Sequence, residues 1–133
     1  TTSKLITYET NEGINLITHS TTVNPSRIII QQQGNYLITF SAELHGASAD
    51  VDIWIRQNGV DVDRSNSRSS LQNSSDYRLL VVTFVVPALA GDYFELVQSS
   101  TNTSAGIVVI AAGTSPTRPS IPSIIVTINK ISE

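Results

Sequence analysis

The sequence has no cysteine, no methionine and little charge. Without cysteine there is no disulfide framework, no thiolate nucleophile and no zinc ribbon, although this alone does not fix the compartment. Charged residues make up 14% of the chain, against roughly 25% in soluble domains. Ser, Thr, Asn and Gln take their place, a surface that suits a virion or an extracellular setting. The net charge is −3 with no block of Lys or Arg, so the electrostatic footprint of nucleic-acid binding is missing. With no methionine and no leader over Thr1–Gly13, the chain reads as a processed product or part of something longer. The longest apolar run, Leu79 to Val86, is interrupted by Thr83 and stopped by Pro87. A membrane helix needs about 20 apolar residues, so no membrane insertion is expected.

Helical periodicity is also lacking: no window sustains apolar residues at i, i+3, i+4 and i+7, and β-branched residues dominate the apolar segments. What recurs is the strand signal, spaced by turn residues over a length that suits one domain. The clearest case is Gly34–Leu44. There Tyr36, Ile38, Phe40, Ala42 and Leu44 alternate with Leu37, Thr39, Ser41 and Glu43. Successive side chains of a strand point to opposite faces, so the first set enters a core. The second set is neither greasy nor fully polar, which suits a weaker burial such as a subunit contact.

Other strands are expected at Lys4–Glu9, Ile14–Thr18, Thr21–Val23, Arg27–Gln32 and Val51–Gln57. Asn58-Gly59 is a hairpin-turn signal, since both residues tolerate positive φ, and Val60–Arg64 is the return strand. Asn66–Asp76 reads as a long surface loop. Tyr77–Val86 is the most continuously hydrophobic segment and calls for cover on both faces. Asp92–Gln98, Gly106–Ala112 and Ser123–Ile131 complete about ten strands, enough for two packed antiparallel sheets.

In this order the segments resemble the C1q/tumour-necrosis-factor superfamily of jelly rolls. Gly34-Asn35-Tyr36-Leu37-Ile38-Thr39-Phe40 is similar to its Gly-x-Tyr-x-Phe strand, and Val51–Gly59 to the next strand and its Asn-Gly turn. Ala90-Gly91-Asp92-Tyr93-Phe94-Glu95-Leu96 is similar to its Gly-Asp-x-Val-x-Leu segment, and Ser123–Ile131 stands at its closing strand. The match runs from about Ile28 to Ile131. It departs where Ile124-Ile125-Val126-Thr127-Ile128 replaces the aromatic and glycine of the closing strand, and no collagen-like Gly-X-Y segment precedes the domain. Pro119–Ile124 resembles the approach to that strand in C1q-like domains of phage and other virion appendages.

The resemblance implies a single all-β jelly-roll sandwich, spanning 1–133, that forms a homotrimer about a threefold axis. Its axis-facing sheet would hold the first strand, the Gly34–Leu44 strand, Asp92–Gln98 and Ser123–Ile131. The subunit contact would then fall on Leu37, Thr39, Ser41, Tyr93, Glu95, Ile125 and Thr127. The expected role is a non-enzymatic head of a virion appendage or surface fibre, in attachment or assembly, with a host-surface protein, virion protein or glycan as partner. The alternative is a secreted or cell-surface C1q/TNF-type ligand that binds a receptor.

For catalysis, Ser41, Ser48, His45 and Asp50 are near in sequence, but a triad is defined by geometry, and no Gly-x-Ser-x-Gly elbow is present. Four carboxylates within fourteen positions, Asp50, Asp52, Asp61 and Asp63, could supply the oxygen ligands of a calcium ion. Arg56, Arg64 and Arg68 compete for the same acids, so no resident cofactor is assigned. Trp54, the only tryptophan, points outward with Arg56 and is a candidate ligand contact. Asn73-Ser74-Ser75 and Asn102-Thr103-Ser104 fit the glycosylation acceptor pattern.

Overall fold

The computed structural model describes residues 3–133. Among them there is no helix. The strands are β1 (Ser3–Leu5), β2 (Ile17–Thr18), β3 (Ile28–Ile30), β4 (Gly34–His45), β5 (Ala49–Gln57), β6 (Val60–Asp61), β7 (Ser67–Leu71), β8 (Tyr77–Ala88), β9 (Tyr93–Ser100), β10 (Gly106–Ile107) and β11 (Ile124–Ser132). They form two antiparallel sheets packed face to face, an all-β sandwich. The larger sheet runs β2-β3-β9-β5-β6, with β1 also on β9 and β7 also on β5. In the smaller, β4 is central, with β8 along one side and β10 and β11 along the other.

The core lies between the sheets and follows the alternation in the sequence. Tyr36, Ile38, Phe40, Ala42 and Leu44 face Val51, Ile53, Ile55, Phe94 and Leu96, all buried. Phe40 stacks on Phe84 with ring centroids 6.5 Å apart. The Tyr36 hydroxyl donates to the Gln32 carbonyl at 2.7 Å, so a large ring is buried with its polar tip satisfied. Gly34 is required by close approach: a Cβ there would stand 2.6 Å from the Ser132 carbonyl oxygen of β11.

Asn58-Gly59 turns β5 into β6 with both residues at positive φ, as the hairpin signal requires. Its Nδ2 donates to Asp92 Oδ1 at 2.9 Å, and its Oδ1 accepts from the Tyr93 N–H at 3.0 Å. Asp92 Oδ2 accepts from the Leu89 N–H and from Gln57 Nε2. The hairpin tip is thereby tied to the β8–β9 turn, and the backbone amide of Leu89 together with Asn58 holds the Asp92 carboxyl below the usual aspartate range.

Several expectations change. Asp92–Gln98 is not in the sheet of β4. Its strand, β9, pairs with β1, β3 and β5, and β8 occupies the place beside β4, in register from Tyr77↔His45 to Ala88↔Gly34. The first strand likewise joins β9. Within the expected loop 66–76 lies β7, an edge strand on β5 whose Ser-rich sequence hides it, Leu71 alone entering the core. Thr21–Val23 is not a strand, and only Gly106–Ile107 of the expected Gly106–Ala112 strand pairs regularly. Ile29 in the middle of the isoleucine run is exposed.

Candidate functional site

The outer face of the smaller sheet is built from alternate residues of three strands, and the register arranges them in rows. Thr83, Thr39 and Thr127 form the middle row, with the Thr39 and Thr83 hydroxyls 3.0 Å apart. Val81, Ser41 and Ile125 form one flanking row, and Val85, Leu37 and Asn129 the other. None of these carries charge; Glu43 is the next outward residue along β4. Leu79, Val81, Val85 and Ile125 are between 52% and 62% exposed, a concentration of bare apolar side chains well beyond the scattered singles of an ordinary surface.

The apolar surface continues around β8. Among the described residues β8 pairs with β4 alone, so its other edge is unpaired. On its inward side Leu80, Val82 and Phe84 pack on the core yet are only partly buried. A twelve-residue strand with one charge, Arg78, is the kind of edge that proteins normally blunt or cover.

The structure thus brings together Leu37, Thr39, Ser41, Ile125 and Thr127. It does not bring Tyr93 and Glu95 to them, since both lie on the opposite sheet. The Glu95 carboxylate is 5% exposed, accepts from Ser26 Oγ at 2.6 Å and lies 3.9 Å from Arg27, whose guanidinium sits 4.4 Å over the Tyr93 ring. The segment that includes Tyr8 and Ser26 covers this part of β9. Burial, with the nearby Glu95 charge, pushes the Tyr8 hydroxyl far above its ordinary range, and among the described residues it has no hydrogen-bond partner. The β8 contribution of Leu79, Val81 and Val85 was not among the expected contact residues, although the long apolar run, interrupted only by Thr83, was the signal for it.

The outer face of the larger sheet is polar. Trp54 stands opposite Val97 of β9, and its indole N–H donates to Asp61 Oδ1 at 2.8 Å. Arg56 Nε donates to the same oxygen at 2.8 Å, and the two bonds hold the Asp61 carboxyl below its ordinary range. Arg68 grips Asp52 through Nε at 2.7 Å and Nη2 at 3.1 Å, while Asn66 Nδ2 donates to Asp52 Oδ2 at 3.0 Å. Arg68 and Asn66 outweigh partial burial and lower the Asp52 pKa. Asp50 accepts from Ser70 Oγ at 2.6 Å. Asp63 is fully exposed beside Arg64.

The four aspartates therefore do not converge. Each of Asp50, Asp52 and Asp61 is held by its own donors, and among the described residues no group of three or more His, Asp or Glu side chains is placed to hold a metal ion. Trp54 lies beside the β5–β6 hairpin, and with Arg56 and Asp61 it forms one cluster. No triad assembles from the serines near His45: its Nδ1 donates to the Asp76 carbonyl, its ring stacks on Tyr77 at 3.8 Å, and Asp50 is engaged by Ser70. Asn73 and Asn102 cap tight turns, each accepting from the backbone N–H two residues on.

Neither a protein-family model nor a curated protein sequence matches the chain.

Proposed function

We propose that the chain is a non-enzymatic head domain that assembles into a homotrimer through the outer face of the β8-β4-β11 sheet, as part of a virion appendage or surface fibre in attachment or assembly. The observation that carries the reading is the uncharged, mostly apolar face around a threonine row, in which Val81, Val85 and Ile125 are left bare in the single chain and Leu37 is half-buried. Burying apolar side chains contributes about 25 cal/mol per Å² of apolar area, and threonine hydroxyls can pair among themselves or with a neighbour's without a buried charge.

The continuation of apolar surface around β8 favours a ring. A two-fold face-to-face contact covers a flat face but leaves the β8 rim open. A heterologous contact, with one copy's β8 rim on the next copy's face, covers both and closes when the rotation allows. Of the sheet that the C1q/TNF-like resemblance implies, the pairing of β4 with β11 supports the reading, whereas β8 stands where Asp92–Gln98 was expected. That resemblance supplies the number three. In such a head, three identical weak sites would bind multivalently, so that avidity supplies the affinity.

Light scattering on a size-exclusion column tests the reading. The expected mass is three times 14.4 kDa, unchanged by a calcium chelator because no metal holds the contact. A monomer at all concentrations would remove the trimeric head.

A further inference from the structure

We propose that the cavity beside Trp54 is a binding site for a neutral saccharide. It is an open surface depression of about 470 Å³. It lies on the sheet opposite the apolar face, so the assignment stands whether or not copies associate there.

The chemistry of the lining selects the ligand. Trp54 is its only aromatic side chain, half-buried and fixed by the hydrogen bond from its indole N–H to Asp61. A ring held in this way gives an apolar platform for the C–H face of a pyranose. Around it stand acceptors and donors for hydroxyl groups: Asp61, Asp63, Asn66 and Arg64. Asp61 binds Trp54 and Arg56 through Oδ1 alone, and its Oδ2 has no hydrogen bond among the described residues.

Charge decides between a neutral and an ionic ligand. Each acid at the cavity is matched by a base: Asp61 with Arg56 at 2.8 Å, Asp52 with Arg68 at 2.7 Å, and Asp63 with Arg64 at 3.7 Å. An anion would face the three carboxylates of the lining, and a cation would meet the Arg64 guanidinium and compete with Arg56 and Arg68, which already hold Asp61 and Asp52. A polyol meets no such conflict, because its hydroxyls donate to carboxylate oxygens and accept from N–H groups.

The wall is built before any ligand arrives. Ser65 is buried in the loop that follows β6; its hydroxyl accepts from the Ile55 N–H at 3.1 Å and donates to the Val62 carbonyl at 2.7 Å. The Val62 N–H donates to the Ile55 carbonyl at 2.9 Å, and Val62 packs on the core. Binding to a wall fixed in this way loses little conformational freedom.

Trp54 is the sole tryptophan, so intrinsic tryptophan emission reports this cavity alone. The probes are methyl glycosides of glucose, galactose, mannose and N-acetylglucosamine, with glucosamine and glucuronate as charged counterparts. At least one neutral glycoside is expected to give a saturable change with a millimolar Kd, the charged counterparts binding roughly tenfold more weakly or not at all. Asp61→Asn and Asn66→Ala should each weaken that binding several-fold without changing the far-ultraviolet circular dichroism, and amide NMR shifts on titration should centre on Ser65 and Asn66. No saturable change with any of the four neutral glycosides overturns the proposal. So does equal or tighter binding of a charged counterpart, or a response that survives both substitutions undiminished.

Discussion

The outer faces of the two sheets present opposite solutions to the same problem, a β-sheet that has buried only one side. On the larger sheet the outward residues of β5, β7 and β9 are mostly acids, bases and serines, with Trp54, Tyr93 and a covered Val97, and nearly every charge has a partner within the chain. Part of that face is also covered by the chain itself, which buries Glu95. On the smaller sheet the outward residues at the centre of β4, β8 and β11 are Leu, Val, Ile, Thr and Ser with Asn129 at one end and Glu43 at the other, and among the described residues Leu79, Val81, Val85 and Ile125 stay more than half exposed. One face is complete within a single copy. The other is left for something else to complete, and its mix of hydroxyls and aliphatic groups suits a second copy of the same surface.

The comparison can be broken from the inside first. Phe40→Ala removes a fully buried ring between the sheets that stacks on Phe84. The expected loss is about 3–5 kcal/mol, measured by chemical denaturation, and both faces should disappear together. Val81→Asp with Ile125→Asp acts on the apolar face alone. It should convert the assembly to a monomer by light scattering, with circular dichroism unchanged, because both side chains are about half-exposed in the single chain.

On the polar face, Ser65→Ala strands the buried Ile55 N–H, while the Val62 carbonyl keeps the Ser65 backbone N–H. About 1–3 kcal/mol of stability should be lost, and Trp54 emission should shift red as the hairpin loosens, while the assembly state stays the same. The smallest effect is that of acid. Asp52 and Asp61 have lowered pKa values in the folded chain, so across that range the unfolded chain binds more protons. Their contribution is present above the ordinary aspartate value of about 3.9 and is lost as pH falls below it toward the lowered native values. Thermal melts between neutral pH and pH about 3 should show a modest decline in Tm that Asp61→Asn reduces.

The strands that form the core were legible because strict alternation leaves one answer: Tyr36 to Leu44 and Val51 to Ile55 face inward as their pattern requires. The Asn58-Gly59 hairpin was legible because its turn type demands those residues. The partner of β4 was not. β8 and β9 are both apolar and both could close the sheet, and the sequence alone does not say which. The five successive buried residues Phe94–Gln98 show what sets β9 apart from β8: it is covered on both sides, inward by the core and outward by the N-terminal segment. β7 escaped notice because an edge strand with one inward side needs only Leu71 to hold it. At the candidate site, Trp54 and Arg56 were visible as an outward pair, but their junction with Asp61 depends on the hairpin bringing β6 back beside β5. Asp52, Asp61 and Asp63 do border one depression, but Asp52 and Asp61 are each held by an arginine, and Asp50 shares Arg68 with Asp52.

The central claim is that the apolar face is covered between copies while the polar face remains open. Because the chain has no cysteine, a single introduced thiol reports its own surroundings. Val81→Cys places one in the middle of the apolar face, and Ser70→Cys places one on the polar face, at a position exposed in the single chain. The rate of labelling by a bulky maleimide should be many-fold slower at position 81 than at position 70 at high protein concentration, and the two rates should converge on dilution below the association range. Equal rates at both positions at every concentration would contradict the account.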